Sequence, residues 1–361
     1  MVGKKLKICR RTIAECAKRN RNPQISTLLK IANFIDFPLD EIENNVIQLS
    51  KSKFKPKLPL QLHNPEGVEI RAAFLCDGHL PSNPTQHPIY SAYEKELHRR
   101  LIDVAHKIFG TFPCKPRKGN KTPQTRLPAI VGRALELSGV PRGDKRLVNC
   151  YVPRDIMLGD KNVQIVYLKR VFDDEGDVCF DKHGKKAVRI TRSTDITNKN
   201  LGFSLSKSEK WKIVRNKNIP INTLLLGEQL LLYKLGIDAR IYYEGVYKSR
   251  KSKITAKWRI QIGQQDSLRR FAGIIGFNLK DKRRKLFDAL KSYRVKEFPN
   301  NEAEKFAIKV LNPIYNFFFG NLGKELVKIG RSYDLAGYYL KTLTEKKVIK
   351  KIKRGKYVFF N

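Results

Sequence analysis

No apolar run in this chain approaches the ~18 residues that a membrane-spanning helix needs. Met1-Val2-Gly3-Lys4-Lys5 is not followed by an apolar core of signal-peptide length either. Cysteines are few and scattered (Cys9, Cys16, Cys76, Cys114, Cys150, Cys179), without a Cys-x-x-Cys pair. That excludes zinc-ligand spacing, makes a disulfide framework a poor fit at this length, and favours a reducing, cytoplasmic compartment. The scarcest property is negative charge. Asp and Glu number 34 against 73 Lys and Arg, a net charge of +39 over 361 residues. Such a surface repels itself unless a polyanion neutralises it. Basic residues run the whole length, which implies a long contact surface rather than one tail. A ribosome-associated protein, or a lysine-rich thermophile protein with an idle surface, would be equally basic; nucleic acid is the leading partner.

What the chain does contain is a short motif, twice. Ile70-Arg71-Ala72-Ala73-Phe74-Leu75-Cys76-Asp77-Gly78 and Leu168-Lys169-Arg170-Val171-Phe172-Asp173-Asp174-Glu175-Gly176 are each an apolar helical stretch ending on a carboxylate followed by glycine. Asp77 and Glu175 are about a hundred residues apart, the size of one small subdomain. Recurrence at that spacing points to a duplicated unit and a two-fold axis. Two carboxylates brought together on such an axis can hold divalent metal where two phosphodiester strands pass. Glycine is permissive, so it lets the helix stop and a strand leave at once. Ala72 and Ala73 let two helices approach closely; Arg170 and Val171 meet that need less well. Taken singly, Asp77 is a turn carboxylate and Glu175 a surface residue beside Asp173 and Asp174. Taken jointly, at matching positions, they read as a metal pair, with Asp173 a structural residue of the helix.

The organisation around the motifs supports a mixed α+β chain. Residues 1–50 read as helical, with Pro23 breaking a first helix, Ser26 as N-cap of the next, and Leu29, Ala32 and Ile35 at helical spacing. Residues 51–64 read as a linker. Residues 65–156 carry the first motif, a strand at Ile89–Tyr93, an amphipathic helix with Leu97, Leu101, Val104, Ala105 and Ile108 on one face, and a helix near Ile130–Leu137. Residues 157–295 repeat that order, with strands near Ala187–Ile196, Ala239–Tyr243 and Thr255–Ile262, and helices near Leu224–Leu235 and Ser267–Ile275. Residues 296–361 read as helices followed by a hairpin across Arg354-Gly355, the winged-helix order.

The two motifs resemble those of the LAGLIDADG homing endonucleases, particularly the dodecapeptide-motif branch, over roughly residues 65–293. Ser138-Gly139-Val140-Pro141-Arg142-Gly143-Asp144-Lys145 with Tyr151-Val152-Pro153 resembles the family's turn before the second motif helix. Phe271 to Phe277 with the basic residues after it resembles the end of the second subdomain. The resemblance implies two pseudo-symmetric αββαββα subdomains in a monomer, their motif helices side by side and their sheets forming a saddle on double-stranded DNA. It implies Mg²⁺ or Mn²⁺ at Asp77 and Glu175, with Gly78 and Gly176 beside them, and supporting lysines at Lys145 and at Lys280 or Lys282. The alternation of Lys257, Arg259 and Gln261 against Trp258, Ile260 and Ile262, and of Arg189, Thr191 and Ser193 against Val188 and Ile190, fits one packed face and one face on DNA. Arg240 joins that face, and Lys353 and Arg354 form a basic hairpin tip. Ile8 to Glu41 resembles the later part of a Cro-repressor-type helix-turn-helix, with Arg10 and Arg11 at a helix start and the helices that normally precede it missing.

The leading function is a site-specific endonuclease that makes a double-strand break. Nothing resembles intein splicing, so a freestanding or intron-encoded enzyme is expected, cytoplasmic, nucleoid-associated or organellar by host. The alternatives are a non-cleaving DNA-binding regulator on the same scaffold and an intron RNA maturase.

Overall fold

The computed structural model describes residues 6–18, 24–46, 54–119, 122–146, 150–181, 183–197, 211–212, 219–248, 253–293, 305 and 317–359. In chain order come α1 (Arg10–Ala17), α2 (Ile25–Phe34), α3 (Leu39–Asn45) and β1 (Lys55–Pro56). Then follow α4 (Pro65–Leu75), β2 (Gly78–His79), β3 (Ile89–Ser91), α5 (Lys95–Phe109), β4 (Gly110–Thr111), β5 (Gln124–Arg126) and α6 (Ala129–Leu137). The short α7 (Arg154–Leu158) leads to α8 (Lys161–Glu175), β6 (Asp177–Phe180), β7 (Lys186–Asp195), β8 (Trp211–Lys212) and α9 (Thr223–Lys234). After β9 (Arg240–Lys248), β10 (Ile254–Ile262), α10 (Gln265–Ile274) and α11 (Lys280–Lys291) comes a C-terminal module. It holds β11 (Phe317–Phe318), α12 (Phe319–Lys328), α13 (Leu335–Glu345), β12 (Ile349–Lys353) and β13 (Lys356–Phe359).

The chain divides into two compact units, residues 1–61 with 102–115, and residues 62–101 with 116–361. In the first, β1 pairs antiparallel with β4. Phe54 is buried and meets the Phe112 ring edge-on at 5.3 Å, and Lys55–Pro56 within the expected linker form a paired strand. Ser26 is not a cap. Helix α2 starts after Gln24 with no side-chain cap bond, which leaves Ser26 inside its first turn.

In the second unit three of the helices start on a side-chain cap. Asn64 accepts from the Gly67 amide with Pro65 at the first helical position, Asp160 accepts from Val163, and Asn222 accepts from Leu224 and Leu225. From Gly67 to Leu75 every residue of α4 is buried, and Tyr167, Leu168, Val171 and Phe172 of α8 are buried too; the two helices pack against each other. Ala72 and Ala73 leave room for that approach. The Phe172 ring continues the core to Phe271, 4.6 Å away between ring centres. Leu97, Leu101, Val104, Ala105 and Ile108 of α5 are all buried.

The largest sheet is antiparallel with strand order β6-β7-β10-β9-β8. A smaller sheet runs β2-β3-β5, from strands of two or three residues. Both stretches run helix, strands, helix, strands, helix, but they differ in sheet size. The C-terminal module has its own sheet, β11-β13-β12, and its own core of Leu322, Leu326, Ala336, Leu340, Leu343 and Ile349.

Candidate functional site

The C-terminal ends of α4 and α8 carry the two motif carboxylates, each followed by a glycine. A Cβ on Gly78 would lie 2.5 Å from the Phe74 Cα, and one on Gly176 would lie 2.4 Å from the Phe172 carbonyl oxygen. Gly176 has φ −71° and ψ 144°, extended backbone open to any residue. Lack of space, not a left-handed backbone, therefore demands glycine. That corrects the expectation from glycine's permissiveness.

A lysine closes each helix end. Lys145 Nζ donates to the carbonyls of Phe74 at 3.3 Å, Leu75 at 3.0 Å, and Cys76. Lys282 Nζ donates to those of Phe172 at 3.2 Å and Asp173 at 2.5 Å. Phe74 and Leu75 occupy the same motif positions as Phe172 and Asp173. Each ammonium thus satisfies carbonyls at the negative end of its helix. Burial lowers the pKa of both lysines, opposed chiefly by Glu175 at Lys145 and by Asp173 at Lys282. Lys280, the other candidate, is exposed at the first position of α11. Two residues place it about 200° around the helix from Lys282, away from the motif.

The two carboxylates sit in different surroundings. Burial, and next the charge of Glu175, push Asp77 up to about 6 against the pull of Lys145, Arg170 and Lys282. Glu175 instead accepts from Arg192 Nη1 at 2.8 Å. Arg192 also binds Glu228 through Nε at 3.2 Å and Nη2 at 2.5 Å, and its Nη2 reaches Cys76 Sγ at 3.6 Å. Glu228 is fully buried; burial raises its pKa while Arg192 opposes. Glu175, Arg192, Lys145 and Cys76 share the wall of a cavity of about 430 Å³. Among the described residues no three His, Cys, Asp or Glu side chains cluster in a way that could hold a metal.

Beside this cavity, Arg170 is buried without being idle. It lies 3.1 Å from Asp174, donates to the Tyr90 hydroxyl at 2.6 Å, and stands 3.8 Å from Glu69. Tyr90 in turn donates to Asp174 at 2.8 Å. Burial pushes Asp174 up to about 7, with Arg170 opposing and Asp77 adding. Asp173 is buried and accepts from Asn278 and Leu279, a structural role. Arg71, wholly buried in α4, forks onto Asp155 of α7 at 2.5 and 2.6 Å.

The largest sheet presents the expected alternation. Lys257, Arg259 and Gln261 are half-buried on one face, with Trp258, Ile260 and Ile262 buried on the other. The register sets Lys257 against Ser193, Arg259 against Thr191 and Gln261 against Arg189. On the β9 side the pairing slips between Lys257 and Trp258, leaving Glu244 as an extra residue on its strand. Glu244 binds Lys257 at 3.1 Å and Arg259 at 2.9 Å, and the Arg259 guanidinium lies 5.6 Å from the Tyr242 ring centre. Arg189 pairs with Asp177, and Arg240 is exposed 3.9 Å from Asp238. Elsewhere, Arg11 pairs with Glu15 on α1, the Arg10 side chain lies outside the described residues, and Lys353 and Arg354 are exposed on the C-terminal hairpin.

No protein-family model matches the chain, and no curated protein matches it. Solved structures similar to it include I-DmoI in complex with DNA and Ca, at 14% identity over 63% of this chain and 100% of that one, with a TM-score of 0.37. Full-length DUF199/WhiA from Thermatoga maritima is similar at 12% identity over 85% of this chain and 96% of that one, with a TM-score of 0.38. The N-terminal LAGLIDADG domain of DUF199/WhiA covers 67% of this chain and 94% of its own at 11% identity, with a TM-score of 0.35.

Arg192 and Glu228 escaped the sequence reading, though each left a trace. Arg192 falls on the inward side of β7 with Val188 and Ile190, where a cation needs a buried partner. Glu228 is the one acid in the leucine-rich α9 segment TLLLGEQLLLYK.

Proposed function

We propose that the chain is a metal-dependent endonuclease acting on double-stranded DNA. In this reading residues 65–156 and 157–295 are two pseudo-symmetric αββαββα halves of one monomer. Residues 1–50 and 296–361 are flanking DNA-binding modules of helix-turn-helix and winged-helix kind; the β11-β13-β12 sheet beside α12 and α13 supports the latter. One observation carries the proposal. Two carboxylates end two packed helices, and the charge of Glu175 is a main cause of the raised Asp77 pKa.

Hard carboxylate oxygens of this kind suit Mg²⁺ or Mn²⁺. A divalent ion would relieve the repulsion that Asp77 now meets, so the donor set fits, with Asp77 and Glu175 as the ligands. Such an ion, when bound, supplies charge stabilisation to a phosphodiester undergoing in-line attack. The chain's own part is positioning. Lys145 and Lys282 hold the helix ends that carry the carboxylates, Arg192 orients Glu175, and the two glycines admit the close backbone. The outward face of the largest sheet offers Arg189, Lys257, Arg259 and Gln261 to base edges.

The Glu175–Arg192 ion pair favours a second reading, a DNA-binding regulator without cleavage, because Arg192 already neutralises one ligand. Asp77→Asn and Glu175→Gln separate the two. Under the endonuclease reading both variants bind duplex DNA as the parent does, and both lose Mg²⁺-dependent cutting. A parent protein that binds duplex DNA and leaves it intact with Mg²⁺ and with Mn²⁺ supports the regulator.

A further inference from the structure

The C-terminal module does not merely follow the sheet in sequence; it is seated on the turn between β6 and β7. Gly184 in that turn has φ +72°, and a Cβ there would lie 2.5 Å from the Arg331 carbonyl oxygen. The Tyr333 amide donates to the His183 carbonyl at 2.8 Å. Lys186, the first residue of β7, spans the seam by donating to the carbonyls of Gly184 at 3.1 Å and Gly330 at 2.7 Å. The Lys186 ammonium stands 4.6 Å from the Tyr293 ring centre, and the Arg331 guanidinium 5.8 Å from the same centre. Two backbone carbonyls, those of His183 and Gly330, are therefore satisfied across the seam, and a side chain at position 184 would break the fit.

Between the seated module and the sheet lies a groove of about 1020 Å³. Arg240, Tyr242 and Gln261 line it from the outward face of the sheet, and Arg331, Ser332 and Tyr338 line it from the module. The groove thus continues the face that carries Lys257 and Arg259. Tyr338, on α13 ahead of the hairpin, is 55% exposed. The Gln261 Oε1 atom is buried and has no hydrogen-bond partner among the described residues, a state that a bound partner would relieve. Burial, and then the charge of Arg331, bring Lys186 down to about 8, with Asp181 opposing. Asp238, Asp266 and Asp334 line the groove as well. The cations suit phosphates and base edges, and the amide and acids suit base-edge donors such as the cytosine amino group.

We infer that the C-terminal module and the sheet grip one continuous duplex, the module reading DNA that flanks the sheet's site at a single fixed spacing set by the Gly184 seam. The inference rests on reading the sheet face as a duplex-binding surface.

The test selects sites for the full chain from a randomised duplex library in Ca²⁺, then varies the distance between selected blocks. Two blocks at one spacing are expected. Inserting about five base pairs, half a helical turn, between them should lower affinity roughly ten- to hundredfold. In Gly184→Val, which unseats the module, the same insertion should cost little. The parent spacing series needs no variant, so it decides the matter even if Gly184→Val fails to fold. One selected block, or two blocks whose spacing the parent tolerates freely, would overturn the inference and leave the duplex-binding reading standing. Failure to retain any duplex selectively would overturn both.

Discussion

Asp77→Asn should make the metal-free protein more stable, and the gain should depend on pH. Asp77 is held at about 6 against an ordinary 3.8, so the folded protein favours its neutral form. A carboxyl raised in this way contributes stability below its unfolded pKa and loses it as pH rises through the folded value. The parent therefore loses stability from this group between about pH 4 and pH 6, and asparagine does not. Two units at 1.36 kcal/mol each set a ceiling of about 3 kcal/mol above pH 7, and screening at this half-buried site reduces it to about 2. Urea unfolding of both proteins in EDTA at pH 4, 5.5, 7 and 8 measures the difference. Chelation matters because a bound cation would stabilise the parent by mass action. Asp174, pushed to about 7, gives both proteins a similar slope and largely cancels. The curves should coincide at pH 4 and separate above pH 6. An asparagine variant less stable than the parent at pH 8, or a gain equal at every pH, would refute the reasoning.

The partner carboxylate should behave oppositely. Glu175→Gln gives up a charge-assisted bond to Arg192 and should cost about 1–3 kcal/mol at pH 7 by urea unfolding. Arg192→Leu strands the buried Glu228 and should cost about 3–5 kcal/mol, much of it recovered in Arg192→Leu/Glu228→Leu. Gly78→Ala and Gly176→Ala force a methyl onto Phe74 and Phe172, so each should cost about 1–3 kcal/mol in thermal or urea unfolding. Glu244→Gln frees Lys257 and Arg259 from their shared acid. It should broaden base preference at one or two adjacent positions in a duplex selection, while adding about one unit to the salt slope of binding.

The elements legible in the sequence were those with a strong period or a hard stop. The apolar stripe of α5, the alternation along β10 and the glycine ends of α4 and α8 each follow from local pattern, and the structure has them where the pattern puts them. What the pattern left out is long-range pairing of polar groups. Arg71 with Asp155, Arg170 with Tyr90, and Arg192 with Glu175 and Glu228 join residues that no periodicity relates. Charge alone also failed to rank the lysines. In the run Lys280-Asp281-Lys282 only the helical phase decides that Lys282, not Lys280, reaches the motif carbonyls. The strand expected at Ile89–Tyr93 stops at Ser91, where its pairing ends, although Ala92 and Tyr93 keep β-like character.

The central claim is that Asp77 and Glu175 together serve phosphodiester cleavage. Its most direct test incubates the full chain with a randomised duplex library in Mg²⁺, with a Ca²⁺ control, and sequences the ends. The account predicts ends clustered on one long motif in Mg²⁺, and none for Asp77→Asn at equal duplex affinity. Selective duplex retention without ends in either Mg²⁺ or Mn²⁺, or cutting that survives Asp77→Asn, would contradict it.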